Sequence, residues 1–399
     1  MTDSDALAGL DDVSWSQLQH AYGMADDVPR HLRAMQAGDR AEGDFRPSAL
    51  LVNCIVHQGT RFEAAVYTVP FLVRMALDPR LANRHRFVSL LASIAIGLDN
   101  NYLPNGYDAE AERAELAEMA GEADDWAQWI AEPAGDEERR KRAATYRQVL
   151  KDVEAVERSY AAVREALPAL NVLLTSEDPE LRATTAYLLA WFPASAAESG
   201  PLLQAFVARE VSPGAAATGL VALGLLGEPA AASFIEGYLD SPLAELRWGA
   251  AFALNRLGNT RPVVTDVLIE AVARPPEGET TMPFLGGAYG GLAVMALEGT
   301  PAGSTPRAVD AMLAGLARCT GIEMHGDRHR LAHALFPQVF PGHPAEPPQA
   351  FSQLNSVQQH VVRLVVEGEI DWYLPVSDAL ERWDIPTRPI DLLAYVGTT

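Results

Sequence analysis

Five segments of equal length end in the same way, with a glycine or a proline after a mostly apolar run. They occupy residues 86–97, 182–193, 216–227, 247–258 and 288–299. The last four begin at intervals of 34, 31 and 41 residues (182 to 216, 216 to 247, 247 to 288). Similar segments at such spacing are typical of stacked helical repeats, in which each repeat packs on its neighbours. The sequence therefore predicts an all-α fold, and the function must be sought in particular residues because many activities occur on such folds.

Prolines mark two kinds of helix in the chain. Pro70 and Pro168 lie among apolar residues, where a proline removes one hydrogen bond and bends the helix axis. Three other helices are predicted to begin at a capping side chain followed by proline, at residues 178–179, 212–213 and 241–242. We therefore expect pairs in which one helix is bent and the other is capped.

Two of the segments have more specific features. The runs E-D-P-E-L-R-A-T-T-A-Y-L-L-A and S-P-L-A-E-L-R-W-G-A-A-F-A-L resemble the second helix of HEAT repeats, including the PBS-lyase-type variant. Arg86, Arg182 and Arg247 occupy the place of that family's recurrent arginine, whereas Ala216 and Ala288 depart from it. The resemblance covers roughly residues 61–97 and 160–318, and it implies a right-handed α-solenoid of HEAT-like helical hairpins with N- and C-terminal helical caps.

The repeat pattern divides the chain into six predicted regions. They are an N-terminal cap (1–45), first helical repeats (46–97), an acidic charged insertion (98–159), HEAT-like repeats (160–320), a Pro-rich connection (321–350) and a C-terminal helical cap (351–399). The insertion interrupts the register because it lacks the repeat pattern.

The insertion is the most charged part of the chain. Residues 108–138 contain twelve acidic residues against Arg113 alone, and the basic run 139–142 follows at once. Such a block either pairs along a helix at i to i+4 spacing or projects as an acidic surface. The candidate partner-binding residues here are Asp124, Asp125, Trp126 and Trp129.

The net charge of the whole chain is −22, from 53 acidic and 31 basic residues. A surface this negative repels nucleic-acid phosphates and anionic lipid, so the expected partner is a basic protein. The alternative explanation is that the charge only maintains solubility. The acidic start and the absence of a long apolar run favour a cytoplasmic protein without a membrane span.

Other residues admit a chemical and a structural interpretation. His329 and His333 have the i, i+4 spacing that allows two histidines to share a metal, and Glu323, His325 and Asp327 lie nearby in the sequence. The alternative interpretation is that these side chains only pack or form surface hydrogen bonds. His57 in the turn 57–60 is a candidate catalytic base. The alternative is that this segment is only a helix-to-helix turn, in which Gly59 adopts the left-handed conformation and Thr60 caps the next helix.

Two further groups concern packing. Glycines 286, 287, 290 and 291 are expected inside a repeat helix, where they allow close helix contact or open a hollow for a small ligand. Trp191 and Trp248 are core residues or, if they lie on the concave face, partner anchors. Cys54 and Cys319 have no C-x-x-C partner and are expected to be buried apolar side chains.

Together these features predict a non-catalytic, protein-binding solenoid that holds a basic partner, as an inhibitor, an immunity protein or a scaffold. The alternative is a HEAT-like enzyme of the lyase type, or a protein with a small-ligand pocket on its concave face. No cofactor is predicted.

Overall fold

Helices account for most of the chain in the computed structural model, which describes residues 5–38, 46–121, 123–132, 135–277, 281–319, 325–367 and 374–397. Strand is limited, within these residues, to two short hairpins. The all-α prediction is confirmed at this level. The chain divides into two units, Met1–Gly227 and Glu228–Thr399.

The first unit contains both hairpins and ten helices among its described residues. In chain order they are β1 (Gln19–His20), β2 (Gly23–Met24), α1 (Val28–Gln36), α2 (Pro47–Ile55), β3 (Val56–His57), β4 (Thr60–Arg61), α3 (Glu63–Leu77), α4 (Arg84–Ile96), α5 (Ala109–Gly121), α6 (Ala123–Ala131), α7 (Asp136–Leu170), α8 (Pro179–Leu189), α9 (Ala196–Arg209) and α10 (Pro213–Leu226).

The second unit contains nine α-helices among its described residues. They are α11 (Ala232–Glu236), α12 (Ala244–Arg256), α13 (Pro262–Ala273), α14 (Tyr289–Leu297), α15 (Pro306–Arg318), α16 (His325–Val339), α17 (Ser356–Glu367), α18 (Leu374–Glu381) and α19 (Pro389–Val396). Short 3₁₀ turns join several helices in both units.

Each of the five similar segments coincides with one helix, namely α4, α8, α10, α12 and α14. The glycines that close four of them, Gly97, Gly227, Gly258 and Gly299, all have positive φ, between 72° and 83°. Glycine adopts this conformation without the steric cost of a Cβ, which explains why these helices end there. The terminal glycines of the repeats are thus helix terminators.

The recurrent arginine also has a repeated role. Arg182 Nη1 donates to the carbonyls of Ser176 and Glu177 at 2.7 and 3.0 Å. Arg247 Nη1 donates to the carbonyls of residues 241 and 242 at the same two distances. In both repeats the guanidinium holds the turn that precedes its own helix. Asp178 caps α8 by accepting from the Glu180 N–H at 2.9 Å, as the sequence predicts.

In each unit a helix packs both on its neighbour in sequence and on helices further along the chain. In the first unit α3 packs on α4, α4 on α8, α8 on α10 and α9 on α10, and α7 covers α3 and α4. In the second unit α13 packs on α12, α14 and α15, and α16 packs on α14 and α15. Their apolar faces form the cores, where residues such as Leu91, Leu189 and Phe206 are fully buried.

Four predicted positions differ from the structure. The helix predicted to begin at residues 241–242 begins at Ala244, with Leu243 as its N-cap residue. The insertion does not end at residue 159, because α7 continues unbroken through that position, and one face of its second half is buried. The predicted connection 321–350 contains the 15-residue helix α16. Gly286 and Gly287 lie in a 3₁₀ turn with positive φ before α14 rather than inside it.

The predicted caps contain regular elements. Within its described residues the N-terminal region has β1, β2 and α1, and the C-terminal region has α17, α18 and α19. Two described helices begin near their predicted starts, at Ser356 and Pro389. Among the described residues, every helix is too short or too polar to cross a membrane.

Candidate functional site

The hairpin between α2 and α3 positions a buried polar group of the first unit. Val56 pairs with Arg61, and His57 pairs with Thr60. The two turn residues, Gln58 and Gly59, have φ of 51° and 90°. A two-residue hairpin turn of this type needs positive φ at both positions, which a glycine supplies readily. The predicted left-handed Gly59 is confirmed, whereas Thr60 lies in a strand and does not cap α3.

Arg61 is buried where the hairpin meets α4 and α5. Its side chain is 6% exposed, and its Nη2 donates to Glu112 Oε1 at 2.8 Å. Its Nη1 donates to the Gly59 carbonyl at 2.9 Å and to the Ile96 carbonyl at 3.5 Å. Gly97 makes this arrangement possible, because a Cβ there would collide with the Gly59 carbonyl oxygen. One guanidinium therefore joins three segments of the chain.

Tyr102 completes this group from the loop before α5. Its hydroxyl donates to Glu112 Oε2 at 3.1 Å, so both carboxylate oxygens of Glu112 are hydrogen-bonded. Burial raises the pKa of Tyr102 to about 12, and the phenol stays protonated at neutral pH. The Arg61–Glu112 pair is charge-neutral and fixed on both sides.

A cavity of about 550 Å³ opens beside this pair, between the hairpin, α5 and α7. Its volume lies within the range of small-molecule sites, roughly 300–1,000 Å³. Asp152 and Glu115 add two further carboxylates to its wall. Burial raises the pKa of Asp152, while a 2.8 Å hydrogen bond from Gln148 Nε2 acts in the opposite direction.

A second cavity of about 330 Å³ adjoins the first and shares Glu112, Leu116 and Val156 with it. Its wall includes Tyr107 and Tyr160, whose rings stack at 4.7 Å between centroids. Burial raises the pKa of both phenols. The two stacked rings form an aromatic part of a wall that also holds Arg113 and Arg164.

The acidic residues of 108–138 form two different surfaces. At the start of α7 and just before it the carboxylates pair with the basic run, as in Asp136 with Arg139, Glu137 with Lys141, and Glu132 and Glu138 with Arg142. On α5 and α6 the exposed Glu110, Glu118 and Asp125 form no ion pair with any described side chain. The unneutralised negative charge therefore lies on α5 and α6.

The two tryptophans of this region attach α6 to α7. Trp126 stacks on Tyr146 at 5.2 Å, and Trp129 lies edge-on to Trp126 at 5.5 Å. The Arg142 guanidinium covers the Trp129 ring at 5.0 Å. Both rings are half-buried, so they present only part of their surface. The Asp124 side chain lies outside the described part of the chain.

The other predicted aromatic anchors are not on a surface. Trp191 is 0% exposed and Trp248 is 1% exposed. Trp191 packs edge-on against Tyr187, and Trp248 packs against Phe252 and Tyr289. These two tryptophans are therefore core residues and not partner anchors, because a fully buried ring cannot contact a second molecule.

The predicted histidine pair lies on α16, but no metal group forms around it within the described residues. His333 Nδ1 lies 3.3 Å from Glu298 Oε1, and His329 is half-buried. Asp327 turns into the protein, where its Oδ1 accepts from the Gly291 N–H at 2.5 Å. Glu323 and the His325 side chain lie outside the described residues.

Gly290 and Gly291 give α14 its close approach to Asp327. A Cβ on Gly291 would lie 3.1 Å from Asp327 Oδ1, and one on Gly290 would lie 3.4 Å from the same carboxylate. Close helix contact is therefore confirmed at these two glycines, where α14 meets the Asp327 carboxylate of α16. Gly286 and Gly287 serve the turn instead.

One group near the N-terminus has the residue types of a metal site. His20, Asp27 and Cys54 bring one potential ligand atom each within 4.8 Å of one another. However, His20 Nδ1 accepts from the Tyr22 N–H at 3.0 Å, so the ring proton is on Nε2, which donates to Asp27 Oδ1 at 2.9 Å. A metal needs the Nε2 lone pair, so these residues do not fit one in this arrangement.

Cys54 and His57 lie in the same region. Burial raises the pKa of the Cys54 thiol, which disfavours the thiolate. His57 Nδ1 lies 3.1 Å from Asn53 Oδ1 and 3.3 Å from the Tyr22 hydroxyl. These polar contacts join α2 to the loop between β1 and β2, which is a structural role.

Sequence reasoning missed Arg61, Tyr102, Glu112 and Asp152. The one available signal was a single arginine between the apolar end of α2 and the start of α3, directly after the Gly59 turn. Comparisons with known proteins give no match: no family model, no curated protein and no solved structure is significantly similar to this chain.

Proposed function

We propose that this protein is a non-catalytic binding protein that holds a basic protein partner in the cytoplasm, as an inhibitor, an immunity protein or a scaffold. We also infer that its helix pairs stack as a right-handed α-solenoid of the HEAT type. The repeated helices, their left-handed terminal glycines and the repeated arginine geometry support that architecture.

The main support for the partner's charge is the surface of α5 and α6. Glu110, Glu118 and Asp125 are exposed and lack a cationic partner among the described residues. Complementary charge of this kind steers association and selects partners, and it acts mainly on the association rate. Their neighbours at the start of α7 are already neutralised and contribute less.

The test begins with capture of partners from a lysate and identification of the bound proteins, with the purified partner then used for kinetics. The variant is Glu110→Gln, Glu118→Gln and Asp125→Asn, which leaves the cavity beside Arg61 unchanged. The matched control is Glu165→Gln, Glu177→Gln and Glu198→Gln, three exposed acids elsewhere in the first unit.

We expect the α5–α6 variant to bind more slowly than wild type at about 0.05 M NaCl, and the difference to vanish at about 0.5 M, where charges are screened within a few ångströms. The control variant should associate like wild type. Equal association rates for both variants at low salt, or a partner that is itself acidic, would refute the proposal.

A second candidate function, small-ligand binding, is favoured by the 550 Å³ cavity. Among its described residues the wall has no histidine, cysteine or serine, so it offers no Ser–His or Cys–His pair of a nucleophile and a base. What it does offer is a volume of small-molecule size, which supports the ligand-binding form of this alternative.

A further inference from the structure

The charges around the 550 Å³ cavity do not balance. Arg61 and Glu112 neutralise each other through a 2.8 Å ion pair. Asp152 and Glu115 remain, and neither forms an ion pair with a described side chain. Asp152 is half-buried on α7 and accepts one hydrogen bond from Gln148. A half-buried carboxylate without a cation is costly, and a bound cation would offset that cost.

One part of the wall is aliphatic. Leu116 from α5 and Val149, Val153 and Val156 from α7 line the side away from the hairpin. Such a surface excludes water from a ligand's hydrocarbon part. The cavity therefore combines an aliphatic surface with two carboxylates, which matches a ligand whose cationic group is carried on an alkyl chain.

Arg61 does not offset these two charges. It is more than nine-tenths buried, and its Nη1 and Nη2 are occupied by Gly59, Ile96 and Glu112. Its Nε has no hydrogen-bond partner, but that atom is covered by the protein itself and does not reach a ligand in the cavity. Asp152 and Glu115 are therefore left as the charged groups available to a ligand.

We propose that this cavity binds an alkyl guanidinium or alkyl ammonium group, with Asp152 and Glu115 pairing with the cation. The cationic group belongs either to a free amine or to an arginine or lysine side chain in a peptide. The inference does not depend on the proposed partner surface of α5 and α6.

The experiment uses isothermal titration of the full-length protein with three probes. Agmatine represents a free alkyl guanidine, Nα-acetyl-arginine methylamide represents a peptide side chain with carbonyl acceptors, and Nα-acetyl-citrulline methylamide is the neutral counterpart of the second. Saturable binding of either cationic probe, with no binding of the citrulline probe, is the expected result. Binding of agmatine indicates a free ligand, and binding of the arginine probe alone indicates a peptide.

The decisive variant is Asp152→Asn, which retains the acceptor for Gln148 and removes the charge. We expect it to weaken binding at least tenfold, with Glu115→Gln weakening it less because Glu115 is exposed. Glu165→Gln, on the same helix and outside the cavity, is the control and should bind like wild type. Circular dichroism verifies that each variant is folded.

Two results would overturn the proposal. The first is no saturable binding of either cationic probe to folded wild-type protein. The second is equal affinity of wild type and both cavity variants. Neither result bears on the association kinetics of the protein partner, because Asp152 is not among the residues changed in that test.

Discussion

Arg182 and Arg247 occupy equivalent repeat positions but have different surroundings. Both hold the preceding turn through two backbone carbonyls. Arg182 also forms a two-pronged pair with Glu210, at 2.6 Å from Nε to Oε2 and 2.6 Å from Nη2 to Oε1. The Glu210 side chain is 1% exposed. The same residue type in the same repeat position therefore carries different energetic weight.

We predict that Arg182→Ala lowers the free energy of unfolding by about 3 kcal/mol, because it leaves the buried Glu210 carboxylate without its cation and with only the backbone N–H groups of Val211 and Ser212 as partners. Arg247→Ala loses only hydrogen bonds to carbonyls and should cost about 1–2 kcal/mol. Equilibrium urea denaturation of the two variants and wild type measures both values. Equal losses in the two variants would contradict a special role for Glu210.

Asp327 is the residue whose charge is least compatible with its position. Burial raises the pKa of its carboxyl, and the hydrogen bond from Gly291 lowers it only in part. A folded-state pKa above the unfolded value means that folding is favoured most when the group is protonated. The stability from this residue is fully present below the unfolded pKa and is lost as the pH rises through the folded pKa.

The variant Asp327→Asn keeps an acceptor for the Gly291 N–H and cannot ionise. We predict that its unfolding free energy, relative to wild type, increases as the pH is raised from about 3 to 7, across the ordinary Asp pKa of about 3.9. Thermal or urea unfolding of both proteins over this range gives the difference. A difference that is independent of pH would show that Asp327 is ionised at no cost.

At the scale of helices, α10 depends on close contact with α9. Gly219 on α10 has no side chain, and a Cβ built there would lie 2.5 Å from Val207 Cγ2 and 3.0 Å from Phe206 Cδ1. Val207 is β-branched and has little rotamer freedom with which to move away. The separation of these two helices is therefore set by a glycine.

We predict that Gly219→Ala destabilises the protein by about 1–3 kcal/mol through overpacking, despite the better helix propensity of alanine. The control is Gly121→Ala at the end of α5, where an added Cβ meets nothing within 4 Å. It should leave stability unchanged or raise it by up to about 1 kcal/mol. Urea denaturation separates the two, and a stabilising Gly219→Ala would contradict the close contact.

The elements differ in how far the sequence alone could define them. The repeated helices were predictable because their apolar length and their terminal glycines are local signals. A proline start was a correct signal for α8 and α10 and a wrong one for α12. The extent of α7 was not predictable, because its charged first half and apolar second half have different patterns within one continuous helix. The boundary predicted at residue 159 marks a change in the sequence pattern, whereas the helical backbone continues through that residue.

The cavity was hidden from the sequence for a different reason. Arg61 and Glu112 are 51 positions apart, and Asp152 is on another helix again. Their meeting depends on how the hairpin, α5 and α7 pack, and periodicity carries no information about that packing. The turn at Gly59 could be recognised from the sequence. The role of Arg61, two residues further on, depends on which segments the fold brings around it.

At the scale of the whole molecule, the net charge of −22 acts on stability as well as on binding. Like charges repel more strongly in the compact state than in the unfolded chain, so a large net charge destabilises folding. Exposed ion pairs such as Arg33–Asp11 and Arg261–Glu236 act in the opposite direction, and each contributes little because solvent screens it. Added salt weakens both effects, and the balance between them is measurable.

We predict that repulsion dominates, so the midpoint of thermal unfolding rises between about 0.05 and 0.5 M NaCl, by about 1 °C for each 1 kcal/mol gained in a chain of this length. The variant with Glu165, Glu177 and Glu198 changed to Gln carries three fewer negative charges. It keeps the ion pairs of the described residues, because none of the three glutamates takes part in one. It should therefore start from a higher midpoint at low salt and gain less from added NaCl. A midpoint that falls with salt in both proteins would mean that surface ion pairs outweigh the repulsion, and the acidity would then need an explanation in stability rather than in partner selection.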